Sequence, residues 1–162
     1  MPFDVYTNTA VCTLTRLDGK VKRYDLFGQI FRDPPDPFYV EVKNYTSAGG
    51  KQPEEYWEFL ANAYSITAQD DKTEDARRQF AWVTLHPFEQ TAWSELTTAK
   101  RVAKALKKHP EVLAGEQVNP DLLSLTASRL WLLVLHERQT DLMLTSVELA
   151  IIEGQLNRKG RK

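Results

Sequence analysis

An acidic residue and a lysine flank a valine in Glu41-Val42-Lys43, a segment that otherwise favours a β-strand. Because side chains alternate along a strand, Glu41 and Lys43 point to the same face. Asp25 lies in the preceding strand-like segment, on what can be the same face. Two carboxylates from neighbouring strands repel each other unless a cation lies between them. The spacing therefore predicts a divalent cation bound by Asp25, Glu41 and the carbonyl of Val42.

Magnesium, or manganese in its place, suits these ligands because it binds one or two carboxylates, keeps several waters and takes phosphate oxygens. Lys43 would lie beside the ion, where it can position or deprotonate a water and stabilise negative charge on a phosphate. The chemistry expected of Asp25, Glu41 and Lys43 is hydrolysis of a phosphodiester bond. The alternative is a surface pair of charges on an edge strand, with Asp25 in solvent.

This arrangement resembles the PD-(D/E)XK nuclease superfamily, which has the restriction-endonuclease-like fold. In that family an aspartate lies on the second strand of a meander, an (Asp/Glu)-x-Lys motif lies on the third, and a helix and further strands follow. Asp25 and Glu41-Val42-Lys43 match these positions. Asp36 is the literal aspartate of a Pro-Asp pair, but its short spacing from Glu41 places it in a loop. Asp25 is therefore the preferred match.

A second part of the resemblance follows in the next predicted helix, which begins with Gln52-Pro53-Glu54-Glu55-Tyr56. It is similar to the Gln-x-x-x-Tyr element of RecB-type members. Gln52 and Tyr56 lie one helical turn apart and so share a face. The resemblance implies that this face points at the cation and the substrate strand. Gln52 and Tyr56 then join Asp25, Glu41 and Lys43 as catalytic residues.

Members of the superfamily usually begin with a helix that often supplies a further acidic ligand, whereas this sequence starts almost directly in strands. Asp4 is the only acidic residue before Asp18. Two possibilities stay open. Either Asp25, Glu41 and the Val42 carbonyl form the metal site alone, or the fold is trimmed and its activity is in doubt. In the second case the chain is an inactive nuclease-like module that binds nucleic acid or a partner subunit.

Lysines on a later predicted helix form a second candidate surface. Lys100, Lys104, Lys107 and Lys108 recur at helical spacing opposite the apolar positions and predict one basic face. Such a face can follow a phosphate backbone. The alternative is a solvated helix face, with cations near the C-terminus where the helix dipole favours them. Lys51 lies on a loop near the proposed site and can contact phosphate as well.

Three predicted strands position the candidate cation site. Residues 10–16 and 21–31 are predicted as strands around an Asp-Gly turn, and residues 38–45 as the third strand. The remaining predicted elements are helices at 52–67, 89–108, 122–128 and 146–157, strands at 80–85, 129–136 and 140–144, and a mobile linker at 68–78. The apolar run at 129–136 is typical of a strand covered on both faces.

The expected fold is an α/β domain with a mixed central β-sheet, a three-stranded meander followed by strand–helix units, flanked by helices and restriction-endonuclease-like. Its 162 residues suit one domain, with a core over residues 10–136, a C-terminal helix and a basic tail at 158–162. The composition excludes a disordered chain and a disulfide scaffold.

The balance of charge and the cysteine content bound the partners and the compartment. The net charge is −1, from 21 basic and 22 acidic residues, so any basic contact with nucleic acid must be local. Cys12 cannot form an internal disulfide, and no apolar run reaches the roughly 20 residues that span a membrane. We therefore expect a cytoplasmic protein without a membrane partner. The resemblance implies DNA as the substrate, a second copy of the chain or another subunit as partner, and a role in defence or repair.

Overall fold

The structure is a computed structural model that describes residues 3–45, 50–73, 76–136, 138–139 and 144–159, without the side chains of 153 and 155–159. The described strands are β1 (Phe3–Asp4), β2 (Thr13–Thr15), β3 (Val21–Arg23), β4 (Leu26–Ile30), β5 (Asp36–Lys43), β6 (Gln79–Thr84) and β7 (Leu130–Val134). The described α-helices are α1 (Gln52–Thr73), α2 (Ala99–Lys108), α3 (Pro120–Ser128) and α4 (Ser146–Lys159), with short 3-10 helices at Gln90–Glu95 and Pro110–Leu113.

The centre of the fold is a five-stranded mixed sheet in the order β1-β4-β5-β6-β7. β4 is antiparallel to β5, whereas β5, β6 and β7 run parallel to one another. α1 connects β5 to β6 and packs on one face of the sheet, where Tyr56 and Phe59 contact the ring of Trp82. These features confirm the predicted α/β class with a mixed sheet and flanking helices.

The predicted meander is wrong in its first part, because residues 21–31 form two strands. β3 pairs with β2 in a separate two-stranded sheet, with the predicted turn at Gly19, while β4 pairs with β5 in the central sheet. The chain turns between them at Tyr24, which is fully buried and packs against the rings of Tyr39 and Phe80. Burial of this large side chain takes the backbone out of the extended path, and Asp25 lies at the break.

Two predicted segments differ from the structure because local contacts override the pattern. The linker expected at 68–78 is helical as far as Thr73, since Ala68 and Asp70 are buried and Asp70 pairs with Arg78. The long helix expected at 89–108 is interrupted, because Thr98 is the N-cap of α2 and its hydroxyl accepts the Arg101 N–H. Residues 90–95 form a 3-10 helix instead.

β7 is covered on one face only, contrary to the expectation that both faces are buried. Leu130 is 8% exposed, whereas Trp131 and Leu133, which alternate onto the other face, are 39% and 41% exposed. α4 begins at a capping box, because the Thr145 hydroxyl accepts the Glu148 N–H and the Glu148 carboxylate accepts the Thr145 N–H. The strand expected at 140–144 falls almost wholly outside the described residues.

No helix in the described part of the chain has the length and apolar character required to cross a membrane.

Candidate active site

The charged end of β5 contains the residues that the sequence singles out. Glu41 and Lys43 share a face, as predicted, and the Lys43 Nζ lies 3.0 Å from the Glu41 Oε1. This face is the one covered by α1, because Glu41 is in register with Trp82 and Lys43 with Thr84. Glu41 is 7% exposed, so its carboxylate is held in a largely water-free position at the edge of the core.

The Glu41 carboxylate is bound by lysines on both oxygens. Lys22, from the β2–β3 hairpin, places its Nζ 2.9 Å from the Glu41 Oε2. Lys43 in turn contacts a second carboxylate, Glu55 of α1, at 2.9 Å. The four side chains therefore form a line of alternating charge, Lys22–Glu41–Lys43–Glu55, whose sum is zero.

Asp25 lies on the other side of Val42, at the point where the chain enters β4. Its Oδ2 accepts the Val42 N–H at 2.7 Å, in the place of the backbone acceptor that a regular neighbouring strand would supply. The Lys43 carbonyl accepts from Leu85 on the β6 side. Since neighbouring residues alternate in direction, the Val42 carbonyl faces the same side as Asp25. Asp25, the Val42 backbone and Glu41 are thus grouped at one end of β5.

Lys43 is held in its charged form. Partial burial acts to lower the pKa of Lys43, but the hydrogen bond to Glu55 and the charge of Glu41 outweigh it and raise that pKa well above its usual value. Burial acts to raise the pKa of Glu55, but the contact with Lys43 and the neighbouring Tyr45 hydroxyl lower it. The pKa of Tyr45 is raised to about 12 by burial and by the nearby Glu55 carboxylate. In this arrangement Lys43 is a cation and a hydrogen-bond donor, not a base.

Gln52 and Tyr56 share the face of α1 that packs on the sheet. Both are completely buried. The Gln52 Nε2 donates to the Thr84 hydroxyl at 2.8 Å, directly beside Lys43 in the register of the sheet. The Tyr56 hydroxyl donates to the Leu96 carbonyl at 3.0 Å and lies farther along the helix. Gln52 is therefore near the charged end of β5, and Tyr56 anchors α1 in the core.

The oxygen atoms at this end of β5 are of the type that binds Mg²⁺, but their present arrangement does not form a metal site. Two carboxylates and a carbonyl, completed by waters and phosphate oxygens, are within the usual ligand set of Mg²⁺. Among the described residues, however, no three His, Cys, Asp or Glu side chains are grouped as metal ligands. Lys22 already neutralises the Glu41 Oε2. The ion therefore requires Lys22 to leave that oxygen.

Of the basic residues predicted to bind nucleic acid, Lys51 and Lys108 lie next to Glu55. Lys51 and Lys108 border a cavity of about 360 Å³ that also includes Glu55 and the ring of Trp57. The Lys108 Nζ lies 4.5 Å from the centre of that ring. Lys100, Lys104 and Lys107 are exposed on α2, as Lys108 is, but do not line this cavity. The tail at 158–162 has no described side chains.

Sequence reasoning missed two members of the charged line. Glu55 lies three residues after Gln52, a spacing that places both on one side of the helix. No local sequence pattern indicated Lys22, because its hairpin is brought to Glu41 by contacts with α1, a distant part of the sequence. Arg16 donates to Asn62 at 2.7 Å and the Leu17 N–H donates to Ser65 at 3.0 Å.

Comparison with known proteins adds little to this description. No family model and no curated protein matches the chain. The solved structure of the Moraxella osloensis Cap4 SAVED/CARF-domain containing receptor is similar over 94% of this chain, with 13% sequence identity and a TM-score of 0.39. The match spans 36% of the receptor chain. A likeness this weak establishes neither a common fold nor a common function, so the assignment depends on the residues of the site.

Proposed function

We propose that this protein is a metal-dependent nuclease that hydrolyses phosphodiester bonds in DNA. The observation that carries the proposal is the grouping of Asp25, Glu41 and Lys43 around Val42: the Asp25 carboxylate is bonded to the Val42 N–H, and Glu41 and Lys43 are paired on the adjoining face. Phosphodiester hydrolysis needs acidic oxygens for a cation and a positive group near the phosphate. This end of β5 supplies both.

Each residue has a separate task in this proposal. Asp25, Glu41 and the Val42 carbonyl would hold Mg²⁺ or Mn²⁺, and such an ion would supply an activated water and positive charge beside the phosphate. Lys43, kept protonated by Glu55, donates hydrogen bonds that orient the attacking water or a phosphate oxygen. Gln52 fixes the end of α1 beside Lys43, and Tyr56 keeps that helix on the sheet.

The surrounding residues hold these groups in place and shield them from water. Glu41 is buried beside Tyr24, whose pKa is raised well above its usual value by burial and then by the charge of Glu41. A buried carboxylate interacts more strongly with a cation than an exposed one, because water screens the charges less. Lys51 and Lys108 border the cavity next to Glu55, where they could contact a phosphate of the substrate strand.

Cleavage of plasmid DNA with Mg²⁺ or Mn²⁺ tests the proposal. The variants Asp25→Asn, Glu41→Gln and Lys43→Met keep the size of each side chain and remove its charge. Each is expected to lower the rate at least ~100-fold, the usual effect of removing one stabilising group of an active site. Asp25→Asn is the sharpest of the three, because the asparagine oxygen can still accept the Val42 N–H and preserve the fold.

The matched control is Asp71→Asn, which removes an exposed carboxylate near the other end of α1. Nineteen residues of helix separate it from Gln52, about 28 Å. Its cleavage rate should equal that of the unaltered protein. Cleavage that survives all three site substitutions would contradict the assignment of the site.

A second candidate function is a non-catalytic module that binds nucleic acid or a partner subunit. The pairing of both Glu41 oxygens with Lys22 and Lys43 favours it, because the charge of the site is balanced without a metal. This candidate predicts neither cleavage nor Mn²⁺ binding. Isothermal titration with Mn²⁺ separates the two, since the nuclease should bind the ion and lose it in Glu41→Gln.

A further inference from the structure

The face of the central sheet that lies opposite α1 is largely apolar and reaches solvent. Among the described residues the helices lie on the other side, because α1 covers the face that contains Trp82, and α2 and α3 pack against α1. Val42, Val83 and Leu133 are in register across β5, β6 and β7 and point away from α1. Val42 and Leu133 are each 41% exposed. A row of apolar side chains across three strands is thus left in contact with water.

Trp131 and Phe38 extend this row along the strands. Their rings meet edge-on with the centres 6.2 Å apart, and Trp131 is 39% exposed. Val40 and Ala81, in register with Trp131, are smaller and buried. The larger side chains form one apolar surface, which we call the open face: Phe38, Val40, Val42, Val83, Trp131 and Leu133. Parallel strands such as β5, β6 and β7 are normally covered on both faces, so the open face requires a partner.

The helix α4 presents a second apolar surface to solvent. Val147 is 68% exposed, Leu149 46%, Ile151 60% and Ile152 40%, and every described side chain at 144–152 is exposed. α4 therefore does not lie on the open face of its own copy. Its 14 residues span about 21 Å, between the lengths of the five-residue β7, about 17 Å, and the eight-residue β5, about 26 Å. One such helix is long enough to cover the open face from end to end.

We propose that the open face binds α4 of a second copy of this chain, in a reciprocal dimer. Each copy has both surfaces, so two copies related by a twofold axis bury all four at once by exchanging one identical element. The net charge of −1 gives the copies little mutual repulsion. The inference does not depend on the proposed cleavage, because neither surface includes the side chains of Asp25, Glu41 or Lys43.

Sedimentation equilibrium tests the inference, and the unaltered protein is expected to give a dimer of the 18.6 kDa chain. Leu133→Lys on the open face and Ile151→Glu on α4 should each raise the dimer dissociation constant at least about 100-fold. The reason is that each change occurs in both symmetric contacts, and loss of one buried aliphatic side chain weakens a contact about tenfold or more. The matched control is Val118→Glu, at an apolar side chain that is 38% exposed and outside both surfaces, and it should dimerise normally.

Mixing the two variants in equal amounts separates this exchange from other dimers. In the mixed dimer, α4 of the Leu133→Lys copy meets an unaltered open face, and the second contact brings together introduced charges of opposite sign. The mixture should therefore dimerise where each variant alone is monomeric. A monomeric unaltered protein, a dimer that survives Ile151→Glu, or a mixture that stays monomeric would overturn the inference. Thermal unfolding checks that each variant is folded; if Leu133→Lys is not, Ile151→Glu, at a side chain that is 60% exposed, still decides the result.

Discussion

At the scale of single residues, metal binding at the proposed site depends on which cation contacts the Glu41 carboxylate. Lys43 is needed in every version of the proposed chemistry, whereas Lys22 occupies an oxygen that the proposed metal requires. Lys22 is carried by a hairpin that is also hydrogen-bonded to α1 through Arg16 and Leu17. We therefore expect Lys22 to compete with the proposed metal ion for the Glu41 carboxylate.

Lys22→Met removes this competing charge and keeps the length of the side chain. We expect the variant to bind Mn²⁺ about tenfold more tightly in calorimetric titration, since a tenfold change corresponds to about 1.4 kcal/mol, close to the usual contribution of one hydrogen bond to a charged group. Lys20→Met, an exposed change on the same hairpin, is the control. If Lys22→Met and the unaltered protein bind Mn²⁺ equally, Lys22 does not compete; if neither binds, the metal site itself is wrong.

At the scale of elements, Thr84 joins the end of α1 to the end of β6. Its hydroxyl accepts from the Gln52 Nε2 at 2.8 Å and from the His86 N–H at 3.2 Å, and it donates to the His86 carbonyl at 3.1 Å. Both Thr84 and Gln52 are fully buried. One hydroxyl therefore satisfies several polar groups and holds the end of α1 against β6. Thr84 is the β6 residue in register with Lys43.

Thr84→Val keeps the shape of the side chain and leaves the buried Gln52 amide without its acceptor. We expect it to lower the free energy of unfolding by about 2 kcal/mol, the usual cost of a buried unsatisfied polar group. Urea denaturation measures the change. Thr84→Ser retains the hydroxyl and should lose less than half as much. Equal losses in the two variants would show that the methyl group, not the hydrogen bonds, stabilises this junction.

The elements also show how far sequence reasoning reaches. Alternation correctly placed Glu41 and Lys43 on one face, and the local sequence pattern correctly placed the start of α4, where the structure has a Thr145–Glu148 capping box, because both depend on residues close in sequence. The break at Tyr24 and the contact of Lys22 with Glu41 depend on distant elements that meet only in the folded chain. Local pattern gave the motif, whereas tertiary packing decided its electrostatic state.

At the scale of the whole molecule, the near-zero net charge hides an uneven distribution. The line Lys22–Glu41–Lys43–Glu55 is neutral within itself, and the cavity lined by Arg32, Arg77, Arg129, Asp33 and Asp36 carries one more arginine than aspartate. The α2 helix adds a basic surface of exposed lysines: Lys100, Lys104, Lys107 and Lys108. Only Lys108 among them borders the cavity next to Glu55. In our proposal, the lysines of α2 and Lys51 therefore contact the DNA backbone.

The salt dependence of DNA binding tests whether these lysines contact phosphates, because each phosphate contact releases counterions. Lys104→Gln should reduce the slope of log K against log salt concentration by about 0.9, the value for one contact on duplex DNA. Lys72→Gln removes the same charge about 22 Å from Trp57, fifteen helical residues along α1, and should leave the slope unchanged. Fluorescence anisotropy with a labelled duplex over a range of salt gives both slopes. If Lys104→Gln behaves like Lys72→Gln, the lysines of α2 are a solvated helix face with cations favoured by the helix dipole, and DNA must approach from another side.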